Sequence, residues 1–224
     1  MSDNSRGKVL KPSDTVDVRN SEGIIQKVSV INVLSDKHPD PVIPSQSSLV
    51  ECDNLPVLEN VAITGDVIQK MGSAIQGSAG PGGCDANHWQ NALLRYGAHS
   101  TSLRESVASL ARQMCNSLVP WKKIRYLMAN RLIALDMCPE VCPIGIGESF
   151  RRLIGKAVIM VTRFDAEDMC GSAQLCAGMR AGVEGAVHAL NGLLNEHNDG
   201  WGVLIVDASN AFNSINRLAI LWNV

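Results

Sequence analysis

The sequence predicts a mixed α/β (α+β) fold, largely helical, with a β-hairpin and one further buried strand. Three observations carry that expectation. Leu103, Val107, Leu110, Met114 and Leu118 recur at helical spacing, as do Phe150, Leu153, Ile154, Ala157, Val158 and Val161. Asn130–Asp136 is strand-like, and a short connection through Pro139 leads on to Val141–Glu148. Val203, Leu204, Ile205 and Val206 form an unbroken, β-branched-rich run after the turn-like Asn198-Asp199-Gly200.

The chain of 224 residues is long enough for one or two domains with a real core. It is 46% hydrophobic, only 4% aromatic, and carries a net charge of -2. No run approaches the ~18 apolar residues of a membrane span. Met1-Ser2-Asp3-Asn4-Ser5-Arg6 has no apolar stretch behind it, so no signal peptide is expected. The seven cysteines are odd in number and irregularly spaced, which reads as reduced thiols in an intracellular protein, cytoplasmic or nuclear. Cys138-x3-Cys142 and Cys170-x5-Cys176 lack the paired spacing and histidine support of a zinc site.

Charge is unevenly spread. Residues 1–66 hold 6 basic and 10 acidic side chains, residues 95–163 hold 11 and 4, and residues 164–224 hold 2 and 7. A basic middle suits contact with a phosphate backbone; a solvated basic helix face accounts for it equally.

Taken in order, residues 1–55 mix Ser, Asp, Asn and Pro with short apolar pairs. They predict a mobile leader or linker with one transient strand at Gly23–Ile31, closed by the Pro-rich His38–Pro44. Asn60–Gln76 predicts a helix with Val61, Gly65, Ile68 and Ile75 on one face. A Gly-rich loop, Gly77–Gly83, follows; its N–H groups suit a phosphate, or it is a plain inter-helix loop with Asp85 capping the next helix. No Lys-Ser/Thr follows, so it is not a P-loop. Asp85–Tyr96 predicts a helix with Trp89, Leu93 and Tyr96 on one face and Gly97 as its stop. Ser102 and Glu105 form a capping box for the next helix, which Pro120 ends. Arg104, Arg112, Lys122, Lys123 and Arg125 make a basic cluster. Ser149–Arg163 is an amphipathic helix, with Arg151, Arg152 and Lys156 to one side of its apolar face. A further helix carries Met179, Val183, Val187, Leu190 and Leu194 on one face.

The run Val203–Val206 stops on Asp207, followed by Ala208, Ser209, Asn210, Ala211 and Phe212. A carboxylate ending a buried strand is costly unless a cation meets it, and Mg²⁺ bridging a carboxylate and phosphates is the commonest solution. The plain alternative is an Asp that caps a turn. Asp207-x-x-x-Ala211-Phe212 after an apolar strand resembles the first palm motif of reverse transcriptases of non-LTR retrotransposons. Gly80-Pro81-Gly82-Gly83-Cys84-Asp85-Ala86-Asn87-His88-Trp89 resembles that family's Gly-Pro-x-Gly-x-Asp-x-x-x-Trp stretch. Asn130–Asp136 and Val141–Glu148 together resemble its fingers hairpin, Ser149–Lys156 its following helix, and Cys170–Gly178 its Gln-x-x-x-Gly segment. The likeness is collinear over residues 56–224.

The resemblance implies a partial right-hand polymerase fold: leader 1–55, a fingers-like part 56–200 and the start of the palm 201–224. It implies an RNA-directed DNA polymerase that extends a DNA primer on an RNA template with deoxynucleoside triphosphates, and no membrane partner. Asp207 would hold the Mg²⁺ ions, and Ser209, Asn210 and Ala211 would pass beside the triphosphate. Phe212 would sit under the sugar and exclude a 2′-hydroxyl. Arg151, Arg152 and Lys156 would approach template or nucleotide phosphates; the alternative is an exposed helix face.

The sequence departs from the family at Met137, Glu140 and Cys142, where Lys, Gly and Arg are usual. Fewer cations there should weaken the grip on phosphates. Residues 208–224 contain no Asp or Glu, so the family's aromatic-x-Asp-Asp motif is missing. The expectation is a truncated fragment, inactive alone. The alternative is a non-catalytic nucleic-acid-binding remnant of a retrotransposon; an unrelated α/β hydrolase using Asp207 has no partner motif.

Overall fold

The computed structural model describes residues 7–19, 23–49, 59–137, 140–171, 174, 181–196, 202–208 and 210–223. It is a mixed α/β arrangement with small antiparallel sheets. In chain order its elements are β1 (Val9–Leu10), β2 (Thr15–Arg19), β3 (Ile25–Ser29), α1 (Val30–Asp36), α2 (Gly65–Ala74), α3 (Ala86–Leu94), α4 (Ala98–Asn116), α5 (Trp121–Ile124), β4 (Asn130–Asp136), β5 (Val141–Gly147), α6 (Ser149–Cys170), α7 (Gly182–Glu196), α8 (Ala211–Ser214) and α9 (Arg217–Asn223). Two compact units share the chain: residues 1–58, 130–146 and 207–224 form one, and 59–129 and 147–206 the other.

Within the stretch read as a leader, the described residues 7–19 and 23–49 carry strands and a helix. β2 and β3 pair antiparallel, from Thr15 opposite Ser29 to Arg19 opposite Ile25. β1 pairs antiparallel with β4, and the sheet order is β1-β4-β5. Val30 and Val33 of α1 pack with Ala134 and Val141, with Leu10, Val16, Val18 and Val28 around them. The apolar pairs that looked too sparse for a core therefore gain their partners from residues more than a hundred positions later. Pattern within one segment cannot report such partners. Asp14 organises the corner: its carboxylate accepts from Lys11 N at 2.9 Å, and its carbonyl accepts from Val30 N at 2.9 Å. The expected strand at 23–31 is β3 followed directly by α1.

β4 and β5 realise the expected hairpin, with Met137 N donating to Glu140 O across the turn at 2.8 Å. Glu140 meets Lys37 at 3.3 Å, so the acidic residue of this turn has a cationic neighbour on the segment read as leader.

The second unit is helical. Ile63, Ile68, Ile75, Leu93, Val107, Ala108, Ala111, Leu153, Ile154 and Ala157 form its core, with Met71, Trp89, Phe150, Val158 and Val161 packed on it. The α6 face is as expected, although the helix runs on to Cys170 rather than stopping at Arg163. α2 starts later than expected, at Gly65, where Thr64 Oγ1 accepts from Val67 N. Asp85 caps α3 as expected, accepting from His88 N at 3.0 Å and meeting His88 Nδ1 at 2.7 Å. The His88 backbone donation is the main reason that the Asp85 carboxyl titrates below its ordinary range.

Several boundaries shift. α4 begins at Ala98, so Ser102 and Glu105 lie inside the helix rather than at its cap. Gly97 is the N-cap of α4, at φ 53°, instead of the stop of α3. A positive φ asks for glycine at either end of a helix, and its place in the sequence does not say which. Leu110, Leu118 and Tyr96 are exposed despite their place on expected apolar faces. On α7, Val183, Val187 and Leu190 are exposed, while Met179 lies outside the described residues.

The expected buried strand at Val203–Val206 is not formed. These residues are irregular, and Leu204 and Ile205 are 87% and 86% exposed. Among the described residues no strand pairs with the run, and a β-strand without a ladder partner has no way to satisfy its backbone groups on burial.

Candidate functional site

The best-built local feature lies in the helical unit, where the Gly-rich loop meets the start of α6. Gly80 passes against the backbone of this junction. A Cβ on Gly80 would lie 2.7 Å from Glu148 Cα and N, and 2.8 Å from Gly147 C, so only glycine fits. Glu148 turns its carboxylate to the same loop and accepts from Gly82 N at 2.5 Å. Ser149 Oγ donates to Cys84 O at 2.7 Å. Arg152 closes the arrangement: Nη1 donates to Gln76 O at 3.3 Å, and Nη2 donates to Ser78 O and to Ser149 Oγ at 3.0 Å. One turn away, Trp89 stacks on Phe150 with ring centres 4.8 Å apart and planes 26° apart.

Thus two stretches singled out in the sequence, Gly80–Trp89 and Ser149–Lys156, are one packed substructure. The loop carbonyls are collected by Arg152, and the loop N–H of Gly82 is taken by a carboxylate. A cradle for phosphate would need donors aimed outward and an unopposed positive field. Here Glu148 opposes it, so the loop serves to join α2 and α3 to α6.

The expected phosphate-facing side chains separate in role. Arg152 is half-buried and engaged with the loop; its Nε is buried without a hydrogen-bond partner among the described residues. Arg151 donates to Met128 O at 3.0 Å, fixing the chain after α5. Lys156 is exposed. Of the three, Lys156 alone presents its charge without a hydrogen-bonded anchor among the described residues. The clamp by Arg152 was missed in the sequence; an Arg three residues after a Ser at a helix start was its only local trace.

A prediction separates clamp from phosphate ligand. Arg152→Lys keeps the charge but cannot span Gln76 O, Ser78 O and Ser149 Oγ together. It is expected to lower stability by about 2 kcal/mol, the scale of losing charge-assisted hydrogen bonds in a half-buried setting. Urea unfolding reads this directly; a lysine variant as stable as the parent would remove the clamp.

The palm-like residues belong to the other unit. Asp207 is exposed in the irregular stretch before α8, so burial does not demand a cation there. The argument from a costly buried carboxylate is therefore corrected: no strand forms, and water reaches the group. Asn210 is the N-cap of α8 in the left-handed region, at φ 52° and ψ 30°, which Asn tolerates better than most residues. Its Nδ2 donates to Lys37 O at 2.8 Å, and its Oδ1 accepts from Asn213 Nδ2 at 2.8 Å. Ala211 is half-buried and opens α8, and Phe212 follows within that helix. Ser209 lies outside the described residues. Asn216 caps α9, accepting from Leu218 N at 3.0 Å and Ala219 N at 3.2 Å, and its Nδ2 donates to Val42 O.

Both asparagines thus tie the segment after Asp207 to residues 37–42, which the sequence had assigned to a leader. As a Mg²⁺ ligand Asp207 is one exposed carboxylate. One exposed carboxylate does not by itself make a metal site. Among the described residues no group of three or more His, Cys, Asp or Glu side chains is placed to hold a metal. Cys138 and Cys176, from the zinc spacing weighed above, lie outside the described residues. No described helix is long and apolar enough to cross a membrane.

No protein-family model, no curated protein and no solved structure matches the chain.

Proposed function

We propose that the chain is the fingers-like part and the beginning of the palm of an RNA-directed DNA polymerase related to those of non-LTR retrotransposons. One observation carries this reading furthest. Two family-like stretches, Gly80–Trp89 and the end of β5 with Ser149–Lys156, lie about sixty residues apart in the chain and pack together. Gly80 meets the Gly147–Glu148 backbone, and Trp89 stacks on Phe150. The hairpin of β4 and β5 leading into α6 supports the same order of parts.

In this reading Asp207 holds Mg²⁺, which when bound supplies charge stabilisation for phosphoryl transfer from a deoxynucleoside triphosphate to a primer 3′-hydroxyl. Asn210, held by Lys37 O, fixes the turn on which Ala211 and Phe212 follow. Phe212 sets the sugar preference by its bulk. Lys156 is an exposed cation of α6 open to a phosphate, while Arg151 and Arg152 position the surrounding chain.

The test is metal-dependent deoxynucleotide addition to a primed RNA template by the parent reading frame. Phe212→Ala is expected to admit ribonucleotides, raising their incorporation relative to deoxynucleotides by about tenfold or more, the scale of losing one steric exclusion of 1–3 kcal/mol. No addition by the parent frame, or an unchanged sugar preference in the variant, counts against the reading.

A further inference from the structure

We propose that the exposed segment Trp121-Lys122-Lys123-Ile124-Arg125-Tyr126 is a contact surface for single-stranded RNA, which rests on the polymerase-like reading for the kind of strand. Bases stack on the two rings, and phosphates meet the three cations.

The segment is a fixed turn. Lys123 N donates to Pro120 O at 2.9 Å, Arg125 N to Trp121 O at 2.9 Å and Met128 N to Ile124 O at 3.2 Å. Arg151 donates to Met128 O at 3.0 Å and so ties the turn's end to α6. Ile124 and Leu127 are half-buried and line an apolar groove together with Leu110 and Met114. Trp121 is 63% and Tyr126 71% exposed, Lys122 and Arg125 are exposed, and Lys123 is exposed at the edge of the groove. Large rings held at a surface beside cations call for a partner.

The chemistry of the partner follows from charge. Residues 106–129 carry Arg112, Lys122, Lys123 and Arg125 and no Asp or Glu. Arg112 is turned to Ile63 O; on the turn Lys122 and Arg125 are exposed, and Lys123, also exposed, borders the apolar groove. A polyanion is the complement. The Arg125 guanidinium lies 4.7 Å from the Tyr126 ring centre and donates to Tyr126 Oη at 2.6 Å, so this ring is oriented and one face is covered by a cation. Exposed rings interleaved with cations, one of them here oriented by Arg125, are the means by which single strands are held without sequence preference. An anionic lipid surface needs an apolar face clear of charge; here residues 122, 123 and 125 stand between the two rings on the same turn.

The experiment is anisotropy titration of a labelled single-stranded RNA oligonucleotide. Trp121→Ala and Tyr126→Ala are each expected to weaken binding about 5- to 150-fold, the scale of one lost base–ring stack. Trp121→Phe should restore most of it. The double variant Lys122→Gln, Lys123→Gln should flatten the dependence of log affinity on log salt by about 1.4, the slope expected from two phosphate contacts on a single strand. Thermal melts confirm that these exposed substitutions leave the fold intact.

Affinity unchanged in Trp121→Ala overturns the proposal. So does Trp121-dependent binding to phosphatidylserine vesicles without binding to RNA. Failure of the two readings is distinguishable. Ring-dependent RNA binding without nucleotide addition by the parent frame sinks the polymerase reading alone. Nucleotide addition with ring-independent RNA binding sinks this inference alone.

Discussion

Alanine in place of Asp207 is expected to slow deoxynucleotide addition by the parent reading frame by about a thousandfold, with little change in stability. The two halves of that expectation have separate causes. Asp207 is exposed and, among the described residues, makes no ion pair, so its loss removes no packing and no buried contact. Substitutions of this kind usually change stability by no more than about 0.5 kcal/mol. The rate effect comes from the carboxylate as a metal ligand. Charge stabilisation by a bound ion is worth several kcal/mol at the transition state, and each 1.36 kcal/mol is tenfold. Asp207→Asn keeps the shape and removes the charge, and should fall with alanine rather than with the parent. Single-turnover primer extension with matched thermal melts reads both quantities. Equal rates in parent and variant would take Asp207 out of the chemistry. A large loss of stability would instead make it a structural residue.

Gly80→Ala is expected to destabilise the helical unit by about 3 kcal/mol, the upper part of the usual range for overpacking. The added methyl would meet Glu148 Cα and N at 2.7 Å and Gly147 C at 2.8 Å. Those are backbone atoms at the start of α6, and they cannot rotate away as a side-chain end can. Relief must separate the loop from α6, which also strains the Glu148–Gly82 and Ser149–Cys84 hydrogen bonds. Gly83→Ala is the control. It has nothing within 4 Å, and its φ of 80° carries only the left-handed penalty of about 1–2 kcal/mol. Urea unfolding should show a lower midpoint with unchanged slope for both, and a clearly larger drop at Gly80. A Gly80 variant no less stable than the Gly83 variant would show that the close approach is not rigid.

These two residues also mark the limits of reading the chain by pattern. The α6 face of Phe150, Leu153, Ile154, Ala157, Val158 and Val161 was legible because helical periodicity is a local property, set by which side chains share one side of a turn. The Asp85 cap and the β4 run were legible for the same reason, each depending on neighbours within a few residues, whereas the β4–β5 pairing was expected only from the resemblance. The mixed class of the fold follows from such local signals together.

What only the tertiary structure decided is where distant segments supply each other's missing partners. Residues 1–55 read as a leader because their apolar pairs had no core in sight; for those of them that the structure describes, Ala134 and Val141 provide it. Glu140 read only as a departure from the family's pattern; the fold sets Lys37 beside it. Arg152 read as a phosphate ligand because its sequence neighbours do not reveal the carbonyls of Gln76 and Ser78. Val203–Val206 read as a buried strand because its composition is right, yet strand formation needs hydrogen-bonding partners that composition does not contain. The sequence by itself determined which residues favour helix, turn and strand, because those preferences are local. The pairing of glycine with backbone, cation with carbonyl and apolar side chain with core was decided by the fold, because each needs atoms that the chain brings together only when folded.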